Sequence, residues 1–290
     1  MKNLTHTYVN ELIKPKKADA HKGDFGHALI IAGSIGKMGA SIFSASACLR
    51  SGVGLLTVNI PKEERNILQI KIPEAMLTMR ENFDFDLENF SAIGIGPGIG
   101  TLNLSRSILT SIITNCKKPI LLDADALNLI SVNKKLSQNI PVGTVITPHP
   151  REFDRLFGPH ETNILRQEKA IKIAYDLRII IVLKDHKTLI TNGIDTYLNT
   201  NGNAGLAKGG SGDALCGMIT SFMAQGYEPF EAAQIGVFIH GMAADLTLKK
   251  QSMESMLITD VIKNIGKSFK KISKKHHSKS NILSKSISQL

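Results

Sequence analysis

The sequence predicts an α/β fold in which a largely parallel central sheet is covered by helices on both faces. Three observations carry that expectation. Short, nearly continuous apolar runs recur along the chain, among them Ala28-Leu29-Ile30-Ile31, Ile120-Leu121-Leu122 and Ile179-Ile180-Ile181-Val182-Leu183. A strand without polar alternation is one buried on both faces. Segments of helical spacing separate these runs, which is the pattern of a parallel sheet. The chemically distinctive residues follow the strands, at Gly33-Ser34, the 96–100 loop, Asp123/Asp125, His149/Glu152 and Lys184. In such sheets ligands bind beyond the carboxyl ends of the strands.

In order, residues 1–22 read as a lead-in segment with Lys14-Pro15-Lys16-Lys17 and one short helix. A strand over 26–33 ends in Gly-Ser, and the loop 34–39 opens a helix over 40–51. Its Ala40, Ser41, Ser44, Ala45 and Ala47 suit close packing. A strand over 54–60 is stopped by Pro61, then come a helix over 62–70 and a strand over 75–79. The strand 92–96 leads into Pro97-Gly98-Ile99-Gly100 and a helix over 102–115. The strand 120–123 is followed by Ala124-Asp125-Ala126-Leu127-Asn128, which starts a helix. Residues 144–147 lead to Pro148-His149-Pro150-Arg151-Glu152 and helices up to about 178. The run 179–184 is the most β-like in the chain, and 188–191 with 195–199 form a hairpin turning at Asn192-Gly193. Helices over 213–224, 229–249 and 259–271 complete one domain over 23–271 without internal repeats. The Lys- and Ser-rich tail 272–290 reads as disordered.

Composition bounds the function. Hydrophobic residues make up 42% of 290 and the mean hydropathy is near zero, as in a soluble globular protein. No apolar run reaches the roughly 18 residues of a membrane span, and the first residues lack the apolar core of a signal peptide. Cys48, Cys116 and Cys216 are odd in number and far apart. They suit neither a disulfide framework nor a metal cluster, so a reducing, cytoplasmic compartment is expected. The net charge is +10, yet eight lysines and no acidic residue lie from Val261 onward. The rest of the chain is near neutral, so the basic character belongs to the tail and nucleic acid is not the expected partner.

The most informative stretch is Gly202-Asn203-Ala204-Gly205-Leu206-Ala207-Lys208-Gly209-Gly210-Ser211-Gly212-Asp213, in which five glycines precede Asp213. Glycine lets backbone approach a ligand closely, and a loop feeding a helix aims unpaired amides at one point. The apolar residues that follow at helical spacing (Leu215, Met218, Ile219, Phe222, Met223) supply that helix. A carboxylate here either caps the helix or acts as general base on a hydroxyl receiving a phosphoryl group. The helix dipole alone changes its pKa by less than about one unit, which leaves it ionised at neutral pH. Two common patterns are excluded. Ile99 stands where the dinucleotide fingerprint after Gly94-x-Gly96 needs its third glycine, and Gly36-Lys37-Met38 lacks the hydroxyl residue of a phosphate-binding P-loop.

Gly209-Gly210-Ser211-Gly212-Asp213 resembles the anion-hole and base motif of the ribokinase superfamily. Thr147-Pro148-His149-Pro150-Arg151-Glu152 resembles the Thr-Pro-Asn-x-x-Glu element of its vitamin-kinase branch, with His149 in place of asparagine. With the 96–100 loop, Asp123-Ala124-Asp125-Ala126-Leu127-Asn128 and Gly202-Asn203-x-Gly205-x-Ala207, the chain resembles the ADP/ATP-dependent NAD(P)H-hydrate dehydratases over about 22–244. The resemblance implies a ribokinase-like fold that dehydrates (6S)-NADHX and NADPHX. ADP (giving AMP) or ATP is the phosphoryl donor, Mg²⁺ accompanies it, and the assembly is a homotetramer. The epimerase domain often fused to this family has no counterpart here, which implies an epimerase on a separate chain.

By the same resemblance, Asp213 is the base on the C6 hydroxyl, and the Gly210, Ser211 and Gly212 amides hold the migrating phosphoryl group. Lys184, Asp185, His186, Lys187 and Thr188 join them as nucleotide contacts. Ala40, Gly98, Gly100 and His149 contact the hydrated dinucleotide, together with Asp213. Asp125, Asn128 and Glu152 support the site or, for Asp125 and Glu152, reach Mg²⁺ through water. Asp185 departs from the glycine usual after the strand-end lysine. Plainer roles stand beside these: close packing for Ala40, chain turning for Gly98 and Gly100, a structural role for His149, an exposed strand end for Lys184, and helix capping or first-turn charge for Asp123, Asp125 and Glu152. Two other functions compete, a vitamin-precursor kinase for a hydroxymethylpyrimidine or hydroxyethylthiazole and a non-catalytic nucleotide sensor using the basic tail. His149 and the Asp-Ala-Asp-Ala-Leu-Asn element speak against the first, and the intact Gly-Gly-Ser-Gly-Asp against the second.

Overall fold

The computed structural model describes residues 1–83 and 86–287, with side chains placed through Ser273. In chain order its elements are β1 (Lys2–Asn3), α1 (His6–Leu12), β2 (His27–Ile31), α2 (Met38–Arg50), β3 (Leu55–Ile60), α3 (Arg65–Lys71), β4 (Met76–Met79), β5 (Ala92–Ile95), α4 (Asn103–Asn115), β6 (Ile120–Leu122), α5 (Asp125–Ser131), α6 (Lys134–Gln138), β7 (Val145–Ile146), α7 (Pro150–Phe157), α8 (Asn163–Leu177), β8 (Ile180–Leu183), β9 (Thr188–Thr191), β10 (Thr196–Asn199), α9 (Ser211–Ala224), α10 (Pro229–Leu248) and α11 (Ile258–Ile287).

The strands form one sheet in the order β1-β10-β9-β8-β7-β6-β5-β2-β3-β4. Neighbours from β8 through β4 are parallel. Among the described residues only β9 is reversed, pairing antiparallel with β8 and β10. The expected hairpin is present, with Gly193 at φ 87° and Asn192 Oδ1 accepting from the amides of Ile194 and Asp195. Chain order reverses between β2 and β5. From β2 the chain walks outward to β3 and β4, and from β5 it walks the other way through β6, β7 and β8. A crevice at the carboxyl ends of β2 and β5 is the topological switch point where such folds bind ligands.

Both faces of the sheet are covered, which is why its strands lack polar alternation. In β2, Ala28 and Ile30 enter the core beneath α2, α9, α10 and α11, whereas Leu29 and Ile31 enter the one beneath α4, α5, α7 and α8. Side chains two apart share a face, so an unbroken apolar run fills two cores at once.

Helix α9 is apolar all round because it is buried from Ala214 to Ala224. Glycine permits two of its contacts. A Cβ at Gly94 of β5 would lie 2.3 Å from Thr220 Oγ1, and one at Gly217 would lie 2.0 Å from the Ser44 carbonyl oxygen of α2. The small residues of α2 thus do what their size suggested, letting α9 lie against both α2 and the sheet. This seating points the N-terminus of α9 over the carboxyl ends of the central strands. Gly217→Ala is expected to lower stability by about 1–3 kcal/mol through overpacking. Gly266→Ala on α11, where an added Cβ meets nothing within 4 Å, is expected to be neutral or mildly stabilising. Thermal unfolding of both variants measures the contrast.

The N-terminal end of the chain differs from expectation. Residues 1–22 belong to the fold rather than leading into it. β1 extends the sheet beside β10, and Leu4 and Val9 are in the core. A two-residue edge strand held by backbone pairing, with both side chains exposed, leaves no apolar signature. At the other end α11 continues to Ile287, and Ile272 is 1% exposed within the core. No proline or glycine follows Gly266 to stop the helix. Residues 288–290 of the expected disordered tail lie outside the described residues.

Candidate active site

The glycine-rich loop enters α9 through Gly210, whose φ of 94° suits glycine. A Cβ at Gly210 would lie 2.5 Å from the Phe43 ring. The Ala214 amide makes the first bond back to the Gly210 carbonyl. Ser211 N–H donates to the Lys208 carbonyl at 3.3 Å. Of the three amides expected to hold a phosphoryl group, that of Ser211 is therefore already engaged. Gly210 and Gly212, with the amide of Asp213 itself, remain without an intrahelical partner. The loop is anchored from behind. Asp245 of α10 accepts from Gly202 N at 2.9 Å and Asn203 Nδ2 at 3.1 Å, and Lys208 Nζ donates to the carbonyls of Glu254 and Met256.

Asp213 does not cap α9. It stands in the first turn and lines a cleft of about 720 Å³ together with Asp123, His149, Lys184, Ser211 and Gly212. Its carboxyl pKa is raised to about 6, first by burial and then by the nearby Asp123 charge, with Lys184 opposing both. The dipole-only expectation of a nearly unshifted acid is thereby corrected, because burial outweighs the dipole. A carboxylate of this kind is ionised at neutral pH yet basic enough to take a proton, which suits general-base chemistry.

Lys184, at the end of β8, is not an exposed strand end. Its side chain is 21% exposed, and Nζ lies 2.8 Å from Asp123 Oδ1 and 4.0 Å from Glu152 Oε2. The two carboxylates hold the ammonium pKa above its usual value against the opposing effect of burial. A Cβ on Gly212 would sit 3.2 Å from Lys184 Nζ. The ammonium and the amide end of α9 therefore face one cradle that any larger residue would fill, a place for a phosphate.

His149 has the structural role considered for it and also borders the cleft. It caps α7, with Nδ1 accepting from the amides of Arg151 and Glu152, while Glu152 Oε2 accepts from His149 N at 2.8 Å. This capping box leaves the proton of the neutral ring on Nε2. Burial lowers the imidazole pKa, so the ring stays neutral at pH 7. Its side chain is 46% exposed and borders the cleft.

The remaining residues sit at the switch-point crevice. Asp125 Oδ2 accepts from Gly100 N at 2.9 Å, and Oδ1 accepts from Asn128 Nδ2; Arg155 also reaches Asn128. Neither Asp123 nor Asp125 caps α5. Ala124 between them has φ 48°, an uncommon conformation for a residue with a Cβ. That twist separates the two acids, one to Lys184 and the other to the 96–100 loop. Gly98 has φ 62°, and a Cβ on it would lie 2.9 Å from Ala40 Cβ. Ala40 and Gly98 thus form one contact, which assigns close packing to both. Ala40 and Phe43 are three apart on α2, so one face of this helix supports Gly98 on one side and Gly210 on the other.

The sequence model of the NAD(P)H-hydrate dehydratase family matches residues 28–267. The chain belongs to this family. It is 35% identical to the ADP-dependent (S)-NAD(P)H-hydrate dehydratase of Neisseria meningitidis, over 87% of each chain. It spans about half the length of the bifunctional NAD(P)H-hydrate repair enzymes it matches, such as that of Escherichia coli, at 35% identity over 89% of this chain and 50% of that one. Among solved structures, the ADP/ATP-dependent NAD(P)H-hydrate dehydratase of Bacillus subtilis co-crystallised with ATP/Mg²⁺ superposes with a TM-score of 0.83 at 29% identity, covering 93% of this chain and 98% of that one. The ribokinase-like fold implied by the motifs is therefore present.

In this dehydratase-family chain His149, Lys184, Asp185, His186, Thr188, Ser211, Gly212 and Asp213 line the cleft. Ala40, Gly98 and Gly100, at the carboxyl-end loops of β2 and β5, and Lys187, Gly210, Asp125 and Glu152 are not part of the cleft lining. Asp185 folds back on its own turn, accepting from His186 N at 2.7 Å, and also meets Asn163. Among the described residues no three His, Cys, Asp or Glu side chains gather as a metal site. Asp125 has both carboxylate oxygens engaged in the bonds described above, and Glu152 has Oε2 engaged by His149 N while Oε1 lies 3.5 Å from His149 Nε2.

Sequence reading missed Asp245 and His240. His240 borders the cleft on the same face of α10 as Val237 and Gly241, its Nε2 has no hydrogen-bond partner, and burial lowers its pKa to about 4. The available signal was their place in an almost wholly apolar helix, where ionisable groups need a reason.

Proposed function

We propose that this chain is a nucleotide-dependent dehydratase that returns (6S)-NADHX and NADPHX to NADH and NADPH. The observation that carries the reading is the position of Asp213. A base with a pKa of about 6 stands beside the amide end of α9 and lines one cleft with Lys184 and His149. The nucleotide's phosphates lie against the Gly210 and Gly212 amides and the Lys184 ammonium. Its base and ribose extend past Thr188 toward Val237 and His240, whose unpartnered nitrogen offers a hydrogen bond. The hydrated nicotinamide enters from the Ala40–Gly98 crevice and meets His149.

Asp213 takes the proton of the C6 hydroxyl as that oxygen attacks the terminal phosphoryl group of ADP. AMP leaves, and hydroxide, a poor leaving group, has become phosphate. The ring-nitrogen lone pair expels the phosphate, and loss of a C5 proton restores the C5–C6 double bond. The protein supplies position and charge neutralisation, as in phosphoryl transfer generally. Mg²⁺ suits this cleft as an ion carried on the nucleotide's phosphates with most of its waters, since Mg²⁺ seldom needs an all-protein cage. When bound it neutralises phosphate charge.

ADP as donor is supported by the name of the Neisseria relative, and an epimerase partner rests on the family resemblance. A cytoplasmic location is in keeping with three buried, unpaired cysteines. The homotetramer rests on the family resemblance. The test is incubation of the protein with NADPHX and ADP, or ATP. Reduced-nicotinamide absorbance is expected to return as phosphate appears. A stable phosphorylated product would favour the vitamin-kinase alternative, and nucleotide binding without turnover the sensor.

A further inference from the structure

Arg80, just after β4, is buried at 4% exposed and plays no part in the chemistry above. Its guanidinium donates only to neutral oxygens. Nη1 reaches the Gly33 carbonyl, Nη2 the carbonyls of Ala32 and Asn59 at 2.8 Å each, and Nε the Asn59 side chain at 3.3 Å. No carboxylate forms an ion pair with it among the described residues. Burial lowers its pKa to about 10 against the opposing charge of the neighbouring Glu81, which still leaves it charged at neutral pH. A buried guanidinium without a carboxylate is costly, and replacing it by apolar groups would remove that cost.

Its placement suggests what the charge is for. Arg80 grips the end of β2 at the switch point. All peptide bonds described are trans, so each N–H points opposite its own carbonyl. With the Ala32 oxygen held by Arg80, the Gly33 N–H is turned the other way and donates to the Pro97 carbonyl at 2.7 Å, tying the β2 loop to the loop of Gly98. With the Gly33 oxygen held as well, the Ser34 N–H is likewise turned away from Arg80. Ser34 is half-buried and Gly33 has φ 73°. Two carbonyl dipoles point their negative ends at the guanidinium and their positive ends away from it.

We infer that Arg80 is a positioning residue for the hydrated dinucleotide. It orients the Ser34 amide and places a buried positive charge, ion-paired with no carboxylate, at the end of β2 on its β3 side, making at the neighbouring β2–β5 loops a subsite for a phosphate group of that substrate. The inference rests on the dehydratase reading and deepens it, because it assigns an anion subsite to the dinucleotide half of the site, away from the α9 amides.

Two variants separate this role from a structural one. Arg80→Lys keeps a charge but cannot hold three carbonyls in one planar fork. Asn59→Asp is nearly isosteric and fully buried, and it gives Arg80 a carboxylate partner while the fork is kept. A merely structural Arg80 would leave substrate binding in Asn59→Asp unchanged. The subsite predicts that both variants raise the KM for NADPHX roughly tenfold, the scale of one charge-assisted contact. The Kd for ADP, measured by calorimetry, and kcat should stay within about twofold, less than 1 kcal/mol. An unchanged KM for NADPHX in folded Asn59→Asp overturns the inference while the dehydratase reading stands. A wild-type protein that turns over no hydrate overturns the reading itself, and the inference with it.

Discussion

Asp213→Asn is expected to lower hydrate turnover by about 10²–10⁴-fold, the usual contribution of a positioned general base, with ADP still bound. The amide keeps the shape of the first turn of α9 and cannot accept the proton. In the wild type, kcat/KM should rise with pH through a limb near 6, where Asp213 ionises, and the residual activity of the variant should lack that limb. Stability should move the opposite way. The folded protein holds the Asp213 proton more tightly than the unfolded chain does, since its pKa rises from 3.8 to about 6. This group's contribution to stability is therefore full below about pH 4 and is lost as the pH rises through 6. At pH 7 the variant should gain on the order of 1–2 kcal/mol, after allowance for partial exposure, and the gain should vanish below pH 4. Steady-state kinetics with chemical denaturation at both pH values measures this. A variant that keeps wild-type turnover would remove Asp213 from the mechanism.

Lys184→Met should cost both activity and stability. It leaves the Asp123 carboxylate, 1% exposed, without the ammonium 2.8 Å away. Removing one partner of a buried pair costs roughly 3 kcal/mol or more. Turnover should fall by about 10²-fold or more, because on the proposed mechanism the transferring phosphoryl group loses the ammonium that faces the amide end of α9. Lys184 also holds the Asp213 pKa down, so the limb near pH 6 should move upward in whatever activity remains. Adding Asp123→Asn to Lys184→Met should recover part of the stability, since the nearer of the two carboxylates is then uncharged and only Glu152, 4.0 Å from the lost ammonium, is left without it, but not the activity. A double variant as unstable as the single one would mean that packing, not charge, sets the cost.

Much of this site was legible because its chemistry is local. Gly209-Gly210-Ser211-Gly212-Asp213 carries its own logic, an amide-rich helix start with an acid in the first turn, and Asp213 does line a cleft. His149 between two prolines read as a rigid residue, and its capping box makes it so. What could not be read were relations between distant segments. Lys184 looked much like an exposed strand end until Asp123, 61 residues away, was found beside it. Arg80 gave no signal at all, because its partners are mostly backbone carbonyls, which every residue has, with one asparagine side chain 21 residues away. The edge strand β1 escaped for the same reason.

By itself, the sequence determined the order of strands and helices, the burial of the sheet on both faces and the amide-rich helix start with an acid in its first turn, since periodicity, glycine and helix polarity act over a few residues. Only the tertiary structure decided the electrostatics. Burial between α9 and the strand ends raises the Asp213 pKa, a twisted Ala124 sends its two acidic neighbours apart, and Arg80 is left charged without an ion-paired acid. Desolvation and Coulomb interaction depend on what surrounds a group in space, and chain order does not record that.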